Sequence, residues 1–429
     1  MTIRIRALGA LGLVIAISGT SVAQTPPAAP APAAPPAAAP APPAAPEPVV
    51  PPVIAAPAPE MAPIAEPEPE VAPAKVGYEK GFFIESGDGN NRLVIGGRIQ
   101  FRYTYLEVED GPDSSAFSVE RARIKLEGHA ITKDLTYLIQ PELGKGSLAL
   151  RDFYGDYRIA PDLLHLRAGQ FYRPFSRQQI TSDGNQSLVD RAITDGSIGF
   201  NGGRDIGMML HNNYEKSPTV EYALGLFNGT GERATTPIDV ETDPMTGEVV
   251  DASAGNPSNV PRMFRPAVVG RVGYNHGGLK GYSEVDLEGG ALRFGVGASG
   301  QIDFDADRSN DSAMKAELDA IVKVHGFDAT GAVYISSKQT GEGFSDRGLD
   351  RRGFHLQAGY LIASKYQIAA RYALVALQGG NNDEREIALV LGYLPFGHNL
   401  KWQTDLAGLS HQNSDTTDAR VRSQLQFAF

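Results

Sequence analysis

Basic side chains recur at spacings of two and four in the first third of the chain: Arg98 and Arg102, then Arg121, Arg123 and Lys125. Arg167, Arg265 and Arg271 follow singly, and the stretch 172–203 adds Arg173, Arg177 and Arg191. A guanidinium meets phosphate or carboxylate through two parallel hydrogen bonds, whereas an ammonium acts as a point charge. Such a file suits weak, repeated holding of a small anion better than bond breaking. Covalent chemistry has few candidates. There is no Cys, which removes disulfides, thiol nucleophiles, Cys-ligated zinc, iron–sulfur clusters and a lipidated Cys. No G-x-S-x-G elbow and no H-E-x-x-H pair occurs, no nucleophile–base pairing stands out, and an enzyme is not expected.

Other signals are weaker. Gly295–Gly300 matches G-x-G-x-x-G, but it sits in a strand pattern with no helix after it, so close packing is the better reading. Asp303, Asp305 and Asp307 imitate the start of a calcium loop, yet Arg308 and Met314 stand where Gly and Glu are needed. His129, His165 and His211 share the parity of the basic residues without paired metal spacing, and read as wall residues. No metal or cofactor is expected.

The elements that must position these cations alternate with period two. Leu93, Ile95, Gly97, Ile99, Phe101, Tyr103 and Tyr105 share one face, and Gly96, Arg98, Gln100, Arg102 and Thr104 the other. In the next segment Ala122, Ile124, Leu126 and Gly128 oppose Arg121, Arg123, Lys125, Glu127 and His129. A dozen residues of strict alternation make a strand, long enough to cross a bilayer at a tilt. Sixteen such strands are predicted, near 92–107, 116–130, 134–143, 149–159, 163–171, 204–213, 219–228, 264–275, 291–302, 312–325, 327–338, 352–363, 366–378, 384–394, 399–411 and 418–429. Connections after odd strands include the long ones, 172–203, 229–263, 303–311 and 339–351. Those after even strands are mostly tight, with 276–290 the exception. An even count with long loops at one end and short turns at the other is the pattern of an outer-membrane barrel. The predicted fold class is therefore all-β, a 16-stranded antiparallel transmembrane barrel with water in its lumen. Sixteen strands enclose too wide a space for the packed interior of a soluble barrel. Tyr103, Tyr105, Tyr393, Trp402 and the terminal Phe427 and Phe429 suit interfacial aromatic girdles.

Ahead of the barrel lie two segments of other composition. Arg4 and Arg6, the apolar run Ala7–Ile17 and Ser21-Val22-Ala23 form a secretory signal pattern over 1–23, too short an apolar run to span as a helix. Residues 24–75 are nearly all Pro and Ala with five Glu, a spacer favouring extended polyproline II and lacking the bulk for a core. The expected division is thus leader 1–23, disordered periplasmic linker 24–75 and barrel 76–429. Hydrophobic residues are 42% and mean hydropathy is −0.21, which excludes a bundle of membrane helices. A net charge of −11 argues against nucleic acid as a partner.

Four segments in order carry a family resemblance: Leu93–Arg102 (LVIGGRIQFR), Glu120–Gly128 (ERARIKLEG), Asp152–Arg158 (DFYGDYR) and Leu166–Phe175 (LRAGQFYRPF). Together they resemble the phosphate-selective porin O/P family, over roughly 77–429. The resemblance implies a homotrimeric channel in the Gram-negative outer membrane, among lipid and lipopolysaccharide, selecting small anions such as phosphate or polyphosphate. It also implies that the loop 172–203 folds inward to narrow the pore. The candidate substrate-binding residues are Arg98, Arg102, Arg121, Arg123, Lys125, Arg167, Arg173, Arg177 and Arg191.

Charge tempers this. Six acids against two arginines in 229–263, and four aspartates against Arg308 in 303–311, carry most of the negative balance. Asp183, Asp190 and Asp195 offset the three arginines of loop 172–203. Each lumen arginine could instead pair with a cross-strand acid such as Glu142, Asp152 or Asp156. Two alternatives stay open: a broader pore for small polar solutes, and a barrel whose task is to tie the outer membrane to the cell wall through 24–75.

Overall fold

The computed structural model describes residues 72–198, 203–232, 238–242, 249–254, 259–261, 263–264, 266–304, 314–337, 351–377 and 382–429. The leader, almost all of the linker, Arg265 and most of the acidic loops lie outside the described residues.

Twenty strands occur among the described residues, and all sixteen expected ones are present. A short hairpin, β1 (Lys75–Tyr78) and β2 (Phe82–Glu85), precedes them. The barrel then runs β3 (Arg92–Glu107), β4 (Ser114–Ala130), β5 (Thr132–Glu142), β6 (Ala149–Ala160), β7 (Leu164–Tyr172), β8 (Arg204–His211) and β9 (Val220–Phe227). A separate hairpin, β10 (Ile238–Thr242) and β11 (Val249–Ala254), lies in the loop after β9. The barrel resumes with β12 (Ala267–His276), β13 (Arg293–Asp303), β14 (Met314–Val324), β15 (Phe327–Ser337), β16 (Arg351–Ile362), β17 (Tyr366–Leu377), β18 (Glu384–Tyr393), β19 (Leu400–His411) and β20 (Thr416–Ala428). Every neighbouring pair is antiparallel. β9 pairs with β12, and β20 returns to β3 from Ala419↔Glu107 to Ala428↔Arg98, closing a 16-stranded barrel. Gly97 and Phe429 complete the seam by exchanging backbone bonds of 3.0 and 3.1 Å. Gly suits the close approach there, since a Cβ would lie 2.9 Å from the Phe429 ring and 3.0 Å from the Arg123 carbonyl oxygen.

The alternation is inside-out relative to a soluble protein. On β14, Lys315, Glu317, Asp319 and Lys323 point inward and are buried, while Met314 and Leu318 are exposed. The same holds on β18 and β19, where Glu386, Lys401, Gln403 and Asp405 are buried while Ile387, Leu389, Leu391, Trp402 and Leu406 face out. An apolar outer wall with no edge satisfies every backbone group laterally, as a lipid environment demands.

Short turns cluster at one end. His325–Gly326 forms a two-residue turn with both residues at positive φ, the twist that matches paired strands, and Ala363 and Ser364 are at positive φ in the three-residue turn 363–365. The segment 277–292 belongs to this end but is no turn. It folds into the lumen, burying Leu279, Tyr282, Val285 and Asp286. From the opposite end the loop 173–203 also enters, with Phe175, Leu188, Val189 and Ile198 buried inside the barrel. The two meet where the Glu284 amide donates to Asn185 O (3.0 Å) and the Ser187 amide to the Glu284 carboxylate (2.7 Å).

Candidate functional site

Two short helices, α1 (Arg177–Ile180) and α2 (Ile193–Ser197), bracket the inserted loop. The loop is pinned to much of the wall. Lys401 Nζ donates to Gln186 O (3.0 Å), Gln403 to Ser187 O (2.6 Å), Gln426 to Gly184 O (3.1 Å) and Arg371 to Asp190 O (2.8 Å). Arg98 reaches Ser182 Oγ (2.9 Å) from β3, and the Ser176 amide donates to Ser299 Oγ (3.2 Å) on β13. These anchors place Asp183 and Asp190 against the strands β20, β3 and β4.

Six arginines converge on these two carboxylates. Asp183 takes Arg123 (2.7 Å), Arg121 (3.1 Å), Arg98 (3.9 Å) and Arg191 from its own loop (2.5 Å). Asp190 takes Arg102 (3.0 Å), Arg121 (3.3 Å) and Arg422 (3.5 Å). Outer acids flank the cluster: Glu142 on Arg123, Glu120 on Arg102, Asp195 on Arg191 and Asp405 on Arg422. Most of it is sealed, but Asp190 keeps 28% of its side chain exposed, Arg98 and Arg121 14% each and Arg191 16%. The accessible face is therefore three guanidiniums and one carboxylate. Burial alone would raise the Asp183 carboxyl. Arg121, Arg191, Arg123 and Arg98 outweigh it and hold the group well below the usual carboxylate range. Asp190 is lowered in the same way, against burial, by Arg121, Arg102 and Arg422. Asp195 goes the other way: burial, with Asp183, Asp190 and Glu284 adding to it, pushes it up to about 6 despite Arg191.

Free volume flanks the cluster along the β4–β7 arc. On the long-loop side a cavity of about 930 Å³ is lined by Glu120, Arg121, Glu142, Lys145, Arg151 and Gln170, among others. On the short-turn side a cavity of about 470 Å³ is lined by Glu127, Tyr137, Tyr154, Asp156, His165, Arg167 and Glu215, among others. Both carry acids and bases in near balance.

Of the nine expected site residues, Arg98, Arg102, Arg121, Arg123 and Arg191 are brought together. Lys125 lies further along β4, paired with Glu127 at 2.7 Å. Arg167 faces the short-turn cavity, held by Asp156 (2.9 Å) and Glu215 (2.8 Å). Arg173 and Arg177 are buried between loop and wall, Arg173 near Asp205 and Arg177 on Asp319 at 2.9 Å. Arg271 is sealed among Glu221, Asp319 and Glu317. The cross-strand acids act as expected: Glu142 holds Arg123, Asp156 holds Arg167, and Asp152 takes Arg204 through two bonds of 2.9 Å. Arg371, Arg420 and Arg422 were missed, although Arg420, Arg422, Gln424 and Gln426 alternate as clearly as the first strand.

Asp156, His165 and His211 lie close enough to share an ion, so their fit to a metal is a fair question. The Asn213 amide donates to His211 Nδ1 (3.0 Å), so Nε2 carries the proton and donates to Asp156 (2.9 Å). A metal at Nε2 would need the proton moved to Nδ1, against that amide. Arg167 occupies the same Asp156 oxygen at 2.9 Å. The cluster is a hydrogen-bonded part of the wall.

Comparison with known proteins agrees with this architecture. Residues 94–238 match the family model described as phosphate-selective porin O and P, which bears out the resemblance carried by the four motifs. An uncharacterized protein of Aquifex aeolicus (strain VF5) is 23% identical over 291 residues, 64% of this chain and 67% of the relative. Among solved structures, the outer membrane channel DcaP of Acinetobacter baumannii superposes with a TM-score of 0.50 at 13% identity, covering 79% of this chain and 97% of that one. OmpT of Vibrio cholerae gives 0.50 at 9% identity, with 79% and 98% covered. Pseudomonas putida OprB gives 0.50 at 10% identity, with 79% and 94% covered. These likenesses share the barrel fold. With the family match and the lipid-type outer wall, they support an outer-membrane porin.

Proposed function

We propose that this outer-membrane porin is a passive pore preferring small anions, of the size and geometry of phosphate, over cations. One observation carries the reading: six arginines converge on two aspartates inside the barrel, and three of them, Arg98, Arg121 and Arg191, keep part of their side chains exposed. An anion entering from the long-loop cavity meets Arg121 first, which belongs to both the cavity wall and the cluster. It can displace part of the hold of Asp190 on Arg121 and of Asp183 on Arg98, exchanging one carboxylate for another oxyanion at little electrostatic cost. On the exposed face of the cluster a cation meets only Asp190, already shared by three guanidiniums. Binding stays weak because resident aspartates compete, and weak sites in sequence favour flux. Long loops then face the outside and short turns the periplasm, with residues 24–75 on the periplasmic side and a homotrimer as the assembly. Reversal potentials of the R98Q/R121Q double variant test this: the anion-to-cation permeability ratio should fall several-fold, and an unchanged ratio would overturn the assignment.

A broader pore for small polar solutes is the second reading, favoured by the balanced mouths, where Glu120, Glu142 and Glu232 stand against Arg121, Lys145 and Arg151. Liposome swelling with uncharged sugars and with zwitterionic amino acids separates the two. Entry of both as fast as small anions of equal size would favour the broader pore.

A further inference from the structure

The hairpin β1–β2 continues the barrel wall beyond the point where the last strand stops. β20 pairs with β3 only as far as Arg98, with Phe429 finishing at Gly97. From Ile95 to Arg92 the same edge of β3 is taken by β2, with Phe82↔Ile95 and Ile84↔Leu93 opposite one another. Opposed residues share a face, so Phe82 and Ile84 lie on the side of β3 that also carries Ile99 and Phe101 to the outside. Within the hairpin, Val76 opposes Ile84 and Tyr78 opposes Phe82, which puts four apolar side chains on that outer face. They are open: Val76 74%, Tyr78 59%, Phe82 59% and Ile84 51% exposed. The other face is polar and satisfied, with Arg92 bonded to Glu85 (2.9 Å) and Glu79 (2.8 Å) and stacked on Phe83 at 4.2 Å. Phe83 in turn covers Gly77, where a Cβ would collide with its ring at 2.8 Å.

The hairpin also points the right way. Its tip, Glu79–Gly81, lies toward the barrel: a Cβ on Gly96 would sit 2.8 Å from Phe429 O and 3.9 Å from Lys80 O. Tyr78 and Phe82, packed edge to face at 5.2 Å, are thus the hairpin residues nearest the aromatic short-turn rim of Phe427, Phe429, Trp402, Tyr393 and Tyr366. β3 has 16 residues, while about 9–11 tilted residues cross the hydrocarbon, so its first residues overrun the core into the headgroup layer. Aromatic rings are favoured at that level.

We infer that β1–β2 is an interfacial anchor, its Val76–Tyr78–Phe82–Ile84 face seated in the headgroup layer of the inner leaflet as an extension of the lipid-facing wall. It would fix the chain to the membrane surface at the point where the Pro/Ala segment joins the barrel.

Tryptophan fluorescence of the full chain in bilayers tests this, using lipid brominated near the acyl carbonyl and acrylamide in the water. Three proteins are compared: wild type, whose one tryptophan is Trp402 on the outer wall; W402F/F82W; and W402F/N90W, in the polar loop after β2. The F82W protein should be quenched by brominated lipid as wild type is, with an acrylamide quenching constant several-fold below that of N90W; W402F/Y78W should behave likewise should F82W fold poorly. Acrylamide access equal to that of N90W would overturn the anchor. Protection from both quenchers would overturn it in favour of a protein surface. Absence of lipid quenching at Trp402 in wild type would overturn the porin reading and the anchor with it.

Discussion

At the residue scale, Asp183 and Asp190 keep a crowd of like charges in place. Two guanidiniums about 4 Å apart repel by about 4 kcal/mol at an effective dielectric of 20, so removing one aspartate leaves an unbalanced cluster. D183N should destabilise the protein by about 3–5 kcal/mol, the usual cost of breaking a buried ion pair from one side, measured as a drop in thermal midpoint in detergent. D190N touches the more accessible carboxylate; it should raise anion preference and tighten phosphate block several-fold in single-channel recordings. Asp195 adds a pH dependence. Its folded value of about 6 lies above the unfolded value of about 3.9, so the stability it contributes is present below about pH 4 and lost as pH rises through about 6. Comparing wild type with D195N, the difference in resistance of loop 173–203 to proteolysis should change across that window and be constant above about pH 7. A flat difference would contradict the buried assignment. Asp183, held low, acts oppositely: its contribution is present above about pH 4 and disappears only in stronger acid.

At the element scale, strands and turns were legible while the lumen contents were not. Period two belongs to each strand alone, so Leu93–Tyr105 or Ala122–Gly128 declares itself without its neighbours, and sixteen such segments imply closure. The inserted loop owes its position to bonds such as Gln426 to Gly184 and Lys401 to Gln186, between residues more than two hundred positions apart that share no period. The same holds for 277–292, visible in the sequence only as a connection too long for its end of the barrel. The β1–β2 hairpin escaped notice because its four-residue strands adjoin the Pro/Ala stretch and are too short for a pattern. Arg98, Arg102, Arg121 and Arg123 could be placed on the lumen face by parity, yet parity cannot say which acids they meet. Ala363 and Ser364 hold the β16–β17 turn at φ of 50° and 56°, a conformation costing a residue with a Cβ about 1–2 kcal/mol. A363G should therefore stabilise the barrel by about 1 kcal/mol in urea unfolding, and no gain would show the turn to be unstrained.

At the scale of the whole molecule, a 16-stranded wall encloses a wide lumen, and two inserted segments fill part of it beside the free volume along β4–β7. The proposed selectivity is set where the long-loop cavity meets the arginine cluster at Arg121. Residues 183–190 are central to it, because Asp183 and Asp190 supply the carboxylates that compete for the arginines. The measurement that tests it most directly is the zero-current potential of the purified chain in a planar bilayer under a KCl gradient, followed by phosphate titration. The expected result is a potential of the sign set by chloride permeation, with the current falling as phosphate is added. A potential of the sign set by potassium, with no effect of phosphate, would contradict the anion-selective pore.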